Sequence, residues 1–278
     1  MSAECGIFPL RTPHFAFRTR MFLALDIGNT NITAGVFDGE TLVAQWRLST
    51  QRERTSDEFA AFLFVALGAR DLGFAEIRGV AISSVVPSLT PAATQFAREY
   101  LKIEPLVVGK DTDTGLVNDY DPPRDVGADR LVNALAAWKK FGTTCLIVDF
   151  GTATTVDAVS RAGHYRGGAI APGLQISTNA LFQAAARLPR VSLEAPPNAL
   201  GQNTAHSLQS GLVFGYAGLV KELIARTLPE LEDENVTVLA TGGLSELIAP
   251  HVPAIQFVEP HLTLEGLRLI WEMNEKQG

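Results

Sequence analysis

Leu23-Ala-Leu-Asp-Ile-Gly-Asn-Thr30 and Leu146-Ile-Val-Asp-Phe-Gly-Thr-Ala153 carry one pattern twice. In each copy an apolar run ends at an aspartate, a glycine follows two residues later, and hydroxyl or amide side chains come next. A second apolar run follows each, at Ile32–Phe37 and Val156–Ser160. Short apolar runs bounded by turn residues read as strands. Asp26 and Asp149 lie 123 residues apart, close to half of the 258 residues from Met21 onward. Duplication at that spacing predicts two related lobes, each opened by a β-hairpin whose turn faces a shared cleft.

Between the copies, strands and helices alternate. Leu42–Leu48 reads as a strand joined to Ile32–Phe37 by the hairpin signal Asp38-Gly39. Ser56–Leu67 reads as a helix, Gly79–Val85 as a strand, Pro91–Tyr100 as a helix with proline in its first turn, and Leu106–Val108 as a short strand. Residues 111–126 carry Gly, Asn, Asp and two prolines and read as a long loop, a feature often tied to function. Asp129–Lys140 is a helix with Leu131, Leu135 and Trp138 on one face. After the second copy come a strand at Gly168–Ala171, a helix at Leu174–Arg187, and a long helix at Thr204–Leu228 whose Gly211, Gly215 and Gly218 suggest close packing. A strand at Val236–Ala240 and a helix at Leu262–Asn274 complete the chain. The alternation places it in the α/β class, with lobes expected at 21–142 and 143–278.

Composition narrows the function. Of 278 residues, 46% are hydrophobic and 19% charged, with mean hydropathy +0.13, which excludes a disordered chain. The net charge of −7 argues against a general nucleic-acid binder, since counterion release needs basic surface. Arg47, Arg52 and Arg54 form a small basic cluster that reads as a solvated face. No apolar run approaches the ~20 residues of a membrane span. Two cysteines, Cys5 and Cys145, do not make a disulfide framework, and a reducing cytoplasm fits. Cys145, in an apolar run, reads as a small buried hydrophobe. Met1–Arg20 has no apolar core of signal-peptide length and reads as an extension outside the fold, which opens at Met21.

The turns carry the chemistry. Glycine lets the backbone approach an anion, Asn and Thr side chains donate to it, and a carboxylate at a strand end can hold hydrated Mg²⁺ beside phosphates. Taken singly, Asp26 and Asp149 are equally well read as Asx turns; the duplication favours function. Gly127-Ala-Asp-Arg130 precedes a helix. Asp129 is there either a carboxylate matched to the helix dipole or a base for an alcohol proton, and Arg130 either a surface charge or a grip on an anionic substrate. Gly242-Gly243, after a strand, is an ordinary turn or a seat for a flat base. No histidine has metal-ligand spacing.

Asp26-Ile-Gly-Asn-Thr-Asn31, Gly127-Ala-Asp-Arg130, Asp149-Phe-Gly-Thr-Ala-Thr-Thr155, Gly167-Gly-Ala-Ile-Ala-Pro-Gly173 and Gly201-Gln-Asn-Thr204 together resemble the type III pantothenate kinases, in order and spacing, from Met21 onward. The resemblance implies two ribonuclease-H-like lobes of the actin-like ATPase kind around a central cleft, and γ-phosphate transfer from ATP to pantothenate in coenzyme A synthesis. It further implies Mg²⁺ with ATP, a requirement for K⁺ or NH₄⁺, a cytoplasmic homodimer, and no nucleic-acid or membrane partner. On this likeness Asp26, Ile27, Gly28, Asn29, Thr30, Asn31, Ile32 and Thr33 form the first ATP loop, with Thr152 on ATP phosphate. Asp129 is the general base. Tyr120, Gly127, Ala128, Asp129, Arg130 and Thr204 bind pantothenate, and Asp149 binds the monovalent cation.

Overall fold

The computed structural model describes residues 21–109, 111–185 and 188–275. The extension Met1–Arg20 and the expected helix end at Arg187 lie outside the described residues. The first half runs β1 (Met21–Ile27), β2 (Asn31–Asp38), β3 (Thr41–Ser49), α1 (Ser56–Gly68), β4 (Ile77–Ser84), α2 (Thr90–Phe96), β5 (Leu106–Val107), β6 (Val117–Asn118) and α3 (Ala128–Phe141). The second runs β7 (Thr144–Phe150), β8 (Ala153–Val159), β9 (His164–Pro172), α4 (Leu174–Ala184), α5 (Thr204–Thr227), β10 (Val236–Thr241), α6 (Ser245–Ile248), β11 (Phe257–Val258) and α7 (Leu262–Glu275).

The duplication is visible in the pairing. One sheet is ordered β3-β2-β1-β4-β5 and the other β11-β10-β7-β8-β9-β6. Read from its own hairpin, the second sheet repeats the first, with β6 added at its edge. In both, the opening strand pairs antiparallel with the next and parallel with the strand that follows the first crossover. These central strands are covered on both faces, which is why β1 and β7 read as near-continuous apolar runs.

Alternation along each strand decides what covers each face. Met21, Leu23, Leu25 and Ile27 pack with Phe59 and Leu63 of α1 and Phe96 of α2. Phe22 and Ala24 point the other way, to Val132 and Leu135 of α3 and to Leu264, Leu267 and Ile270 of α7. In the second sheet Leu146, Val148 and Phe150 meet Val213, Ala217 and Val220 of α5. Cys145 and Ile147 meet Ala134, Ala136 and Ala137 of α3. Helix α3 is therefore wedged between the two sheets, and the C-terminal helix α7 returns to lie on β1 and β4.

Local chemistry explains the element ends. Thr55 and Glu58 form a reciprocal capping box that starts α1. Gly142 takes the left-handed conformation that stops α3. The long loop at 111–126 holds two features that turn residues conceal, the two-residue strand β6 and a short 3₁₀ turn at Pro123–Asp125. Within the single chain Gly211, Gly215 and Gly218 face open space, and the buried stripe of α5 runs through Val213, Ala217 and Val220.

Candidate active site

Each aspartate of the repeat lies in a row of polar side chains on one sheet face. Asp26 is in register with Thr33 on β2 and Ser83 on β4, and Thr33 is in register with Arg47 on β3. Asp149 is in register with Thr155 on β8 and Thr241 on β10. Both carboxylates thus have a hydroxyl residue on either side, and both point to the face that carries α3. The turns after them meet tip to tip, with Thr30 Oγ1 2.7 Å from Thr152 Oγ1. The repeat has produced one site from two lobes.

Helix α3 supplies the third carboxylate. Gly127 precedes it, and a side chain there would collide with Asp129. Asp129 Oδ1 accepts the backbone N–H of Arg130 at 2.9 Å, so the helix terminus fixes the carboxylate. The capping and catalytic readings of Asp129 are compatible. One turn on, buried Asn133 donates from Nδ2 to Asp149 Oδ2 at 3.0 Å and accepts from Thr263 of α7 at 2.8 Å. Asn133 was missed from sequence; an amide between Val132 and Ala134, four residues after Asp129, was its signal.

Three carboxylates in a desolvated space repel one another's charge. Burial, then the charges of Asp129 and Asp149, raise the Asp26 pKa to about 7, with Ser83 opposing least. Burial, then Asp129 and Asp157, raise Asp149 to about 7 against the hydrogen bond from Asn133. Asp129 is also raised, chiefly by burial, with the Arg130 backbone bond opposing. A carboxylate raised in this way is a better proton acceptor than an exposed one.

Arg130 is not a surface charge. Its guanidinium is buried, with Nε 2.8 Å and Nη2 2.6 Å from Asp157 Oδ1. Tyr165 donates to the same oxygen at 2.6 Å, and Thr155 donates to Asp157 Oδ2 at 2.7 Å. The guanidinium carbon lies 5.7 Å from the centre of the Tyr120 ring and 5.8 Å from that of Tyr165. Asp157 is the second residue that sequence reading missed. An acid inside the apolar strand Val156–Val159 was the signal.

The structure gathers Asp26, Asp129, Asp149, Arg130, Tyr120, Gly127, Ala128, Thr30 and Thr152 into this region. Gly28, Asn29 and Asn31 form the turn of the first hairpin, and Gly28 N donates to Asn31 O at 3.0 Å. Ile27 and Ile32 are fully buried among the core residues behind that turn, so any part they play is through backbone. Thr204 is not brought in. It is exposed at the start of α5, the helix that covers the opposite face of the second sheet.

The donor set fits a cation arriving with phosphate oxygens. Among the described residues no lysine or arginine offsets the charge of Asp26 or Asp149, and Arg130 is engaged by Asp157. Among the described residues no group of three or more side chains forms a ready metal cage. One or two carboxylates completed by water and phosphate is the usual arrangement for Mg²⁺.

A family model described as type III pantothenate kinase matches residues 22–226. A type III pantothenate kinase from Geobacter sulfurreducens is 50% identical over 256 residues, covering 92% of this chain and 100% of that protein. Among solved structures, a Baf family protein from Campylobacter jejuni described as a transcriptional activator superposes with TM-score 0.57 at 20% identity, over 91% of this chain and 99% of that one. An inorganic polyphosphate/ATP-glucomannokinase from Arthrobacter superposes with TM-score 0.50 at 14% identity, over 92% and 100%. At such identities the two structures speak for the fold alone, a two-lobed α/β fold of the actin-like ATPase kind.

Two outcomes follow from the geometry. Unfolded aspartates titrate near 3.8, so between that value and about 7 the folded chain holds extra protons on Asp26 and Asp149. Stability therefore falls as pH rises through this window. The thermal midpoint of the nucleotide-free protein should drop between about pH 4 and 7 and level off above, and Asp149→Asn should flatten the drop; identical slopes would contradict the shared buried charge. Separately, Asp157→Asn leaves Arg130 buried without its counter-charge and should cost about 3–5 kcal/mol, part of which Arg130→Met in the same chain recovers. Paired calorimetric unfolding of the single and double variants checks this.

Proposed function

The chain belongs to the type III pantothenate kinase family, and from that premise we propose how its own residues transfer the γ-phosphate of ATP to pantothenate, giving 4'-phosphopantothenate, the first step of coenzyme A biosynthesis. The observation that carries the reading is the position of Asp129, a desolvated carboxylate at a helix start, between the two hairpin turns.

In this reading the turn from Asp26 to Thr33, with Thr152 opposite, receives the ATP phosphates through backbone N–H groups and the side chains of Asn29 and Thr30. Asp26 would hold the Mg²⁺ that accompanies ATP, which would offset phosphate charge. Asp149, oriented by Asn133, would hold K⁺ or NH₄⁺. Tyr120, Gly127 and Ala128 line the acceptor pocket, and Arg130, held still by Asp157, grips the acceptor. Asp129 takes the hydroxyl proton as the acceptor oxygen bonds to the γ-phosphorus, and the bridging oxygen leaves with ADP. Phosphoryl transfer asks mainly for such positioning and charge stabilisation.

The remaining parts of the reading concern assembly. We divide the chain at Gly142, where α3 stops, into lobes 21–142 and 143–278, with α7 reaching back to the first sheet. We place the enzyme in the cytoplasm as a homodimer. No helix among the described residues is long and apolar enough to cross a membrane. The exposed stripe of Thr204, Ser207, Gly211, Gly215 and Gly218 on α5 lets a second surface approach closely. Pairing along it would give Thr204, remote from its own cleft, a place in the site of a second subunit.

ATP-dependent formation of 4'-phosphopantothenate by the purified chain tests the function, and its absence with pantothenate as acceptor would refute it. Asp129→Asn keeps the shape and the cap but removes the base, so kcat should fall about 10²–10⁴-fold with the thermal midpoint retained. A near-wild-type kcat would remove the assignment. Replacing K⁺ by Na⁺ at constant ionic strength should lower the rate strongly; equal rates would remove Asp149 as the cation site.

A further inference from the structure

We propose that Arg47 is a nucleotide-binding residue that contacts the ATP polyphosphate from the first lobe at the Gly242-Gly243 turn of the second. This rests on the kinase reading of the cleft and adds to it a residue outside both hairpin turns.

Arg47 belongs to the same row as Asp26, two strands away, because each is in register with Thr33. Its neighbours Trp46 and Leu48 turn to the opposite face and pack on the core with α1 and α2. Alternation therefore aims Arg47 at the face that carries Asp26. Across the cleft, Gly242 and Gly243 follow Thr241, the residue in register with Asp149. Gly242 has φ +87°, and a Cβ there would collide with Asp149 Oδ1. A Cβ on Gly243 would lie 3.4 Å from Arg47 Nη1 and 4.0 Å from Cζ. The two glycines thus form a slim bridge with a carboxylate against one and a guanidinium against the other.

The charge of Arg47 is unspent. It is exposed, and among the described residues it makes no ion pair or hydrogen bond. Arg54, by contrast, donates to Ser49 O at 3.3 Å and lies over the Phe59 ring at 5.8 Å. The basic cluster read from sequence as a solvated face thus divides, with Arg47 turned to the cleft face and Arg54 to Phe59. A polyanion entering there meets three carboxylates, while Arg130 is already engaged by Asp157. A planar fork of N–H donors suits phosphate oxygens. Arg47 is the cation placed to receive them, and because it sits on the first lobe while the turn sits on the second, its contact would draw the lobes onto the nucleotide.

Direct calorimetric binding of Mg·ATP and of adenosine to the full chain tests this, with Arg47→Ala compared with wild type. The variant should bind Mg·ATP about 10–100-fold more weakly, the loss expected for one charge-assisted hydrogen bond, and bind adenosine as wild type does. Its thermal midpoint should change little, because the side chain is exposed and makes no ion pair or hydrogen bond among the described residues. In turnover, KM for ATP should rise while KM for pantothenate holds. Mg·ATP affinity within about twofold of wild type, or an equal loss for adenosine, would overturn the proposal. Wild type that binds Mg·ATP without phosphorylating pantothenate would overturn the kinase reading, leaving the binding comparison to decide on Arg47.

Discussion

Two partly buried carboxylates on either side of one helix govern this molecule. Asp26 and Asp149 end the central strands of their sheets and point at α3 from opposite directions. An interior does not tolerate such groups unless something is gained from them. Here they are tolerated with proton affinities raised to about 7, close to working pH, so their charge responds readily to a cation or a phosphate. The rest of the architecture keeps this arrangement rigid. Helix α7 pins α3 to the first sheet, Thr263 fixes Asn133, and Asn133 fixes Asp149.

The same helix carries both acceptor-side residues, and they live in different electrostatic surroundings. Asp129 is partly exposed, and among the described residues no side chain pairs its charge. Arg130, the next residue, turns into the second sheet and is satisfied by Asp157. Separating adjacent residues in this way divides labour, leaving one carboxylate basic while its neighbour is immobilised. Tyr165, kept protonated by burial and by Asp157, completes the cage. A buried ion pair of this sort contributes little net stability, and its value lies in fixing where the guanidinium points.

Much of this was legible in the sequence because the signals are periodic or repeated. The apolar runs at β1 and β7, the matched Asp-x-Gly turns and the amphipathic face of α3 are local patterns, and the two-lobed α/β fold follows from them. Asn133 and Asp157 were not seen, since each is a lone polar residue whose partner is 16 and 27 residues away in sequence. The spacing of the α5 glycines does not say which face of the helix its own lobe covers, and within the chain they lie on the open one. Arg47 looked like one of three surface charges until strand register separated it from Arg54. Thr204 shows the converse limit, since its motif matches the family while it opens a helix on the sheet face opposite α3.

Folding brings Asp26 and Asp149 into one site where burial and neighbouring carboxylates raise the proton affinity of both. Carbon NMR of the nucleotide-free protein, labelled at the aspartate carboxyls and titrated with acid, measures this directly, with Asp26→Asn and Asp149→Asn assigning the two signals. Both carboxyls should titrate near 7, and removing one should lower the other. Two independent titrations near the ordinary 3.8 would contradict the account.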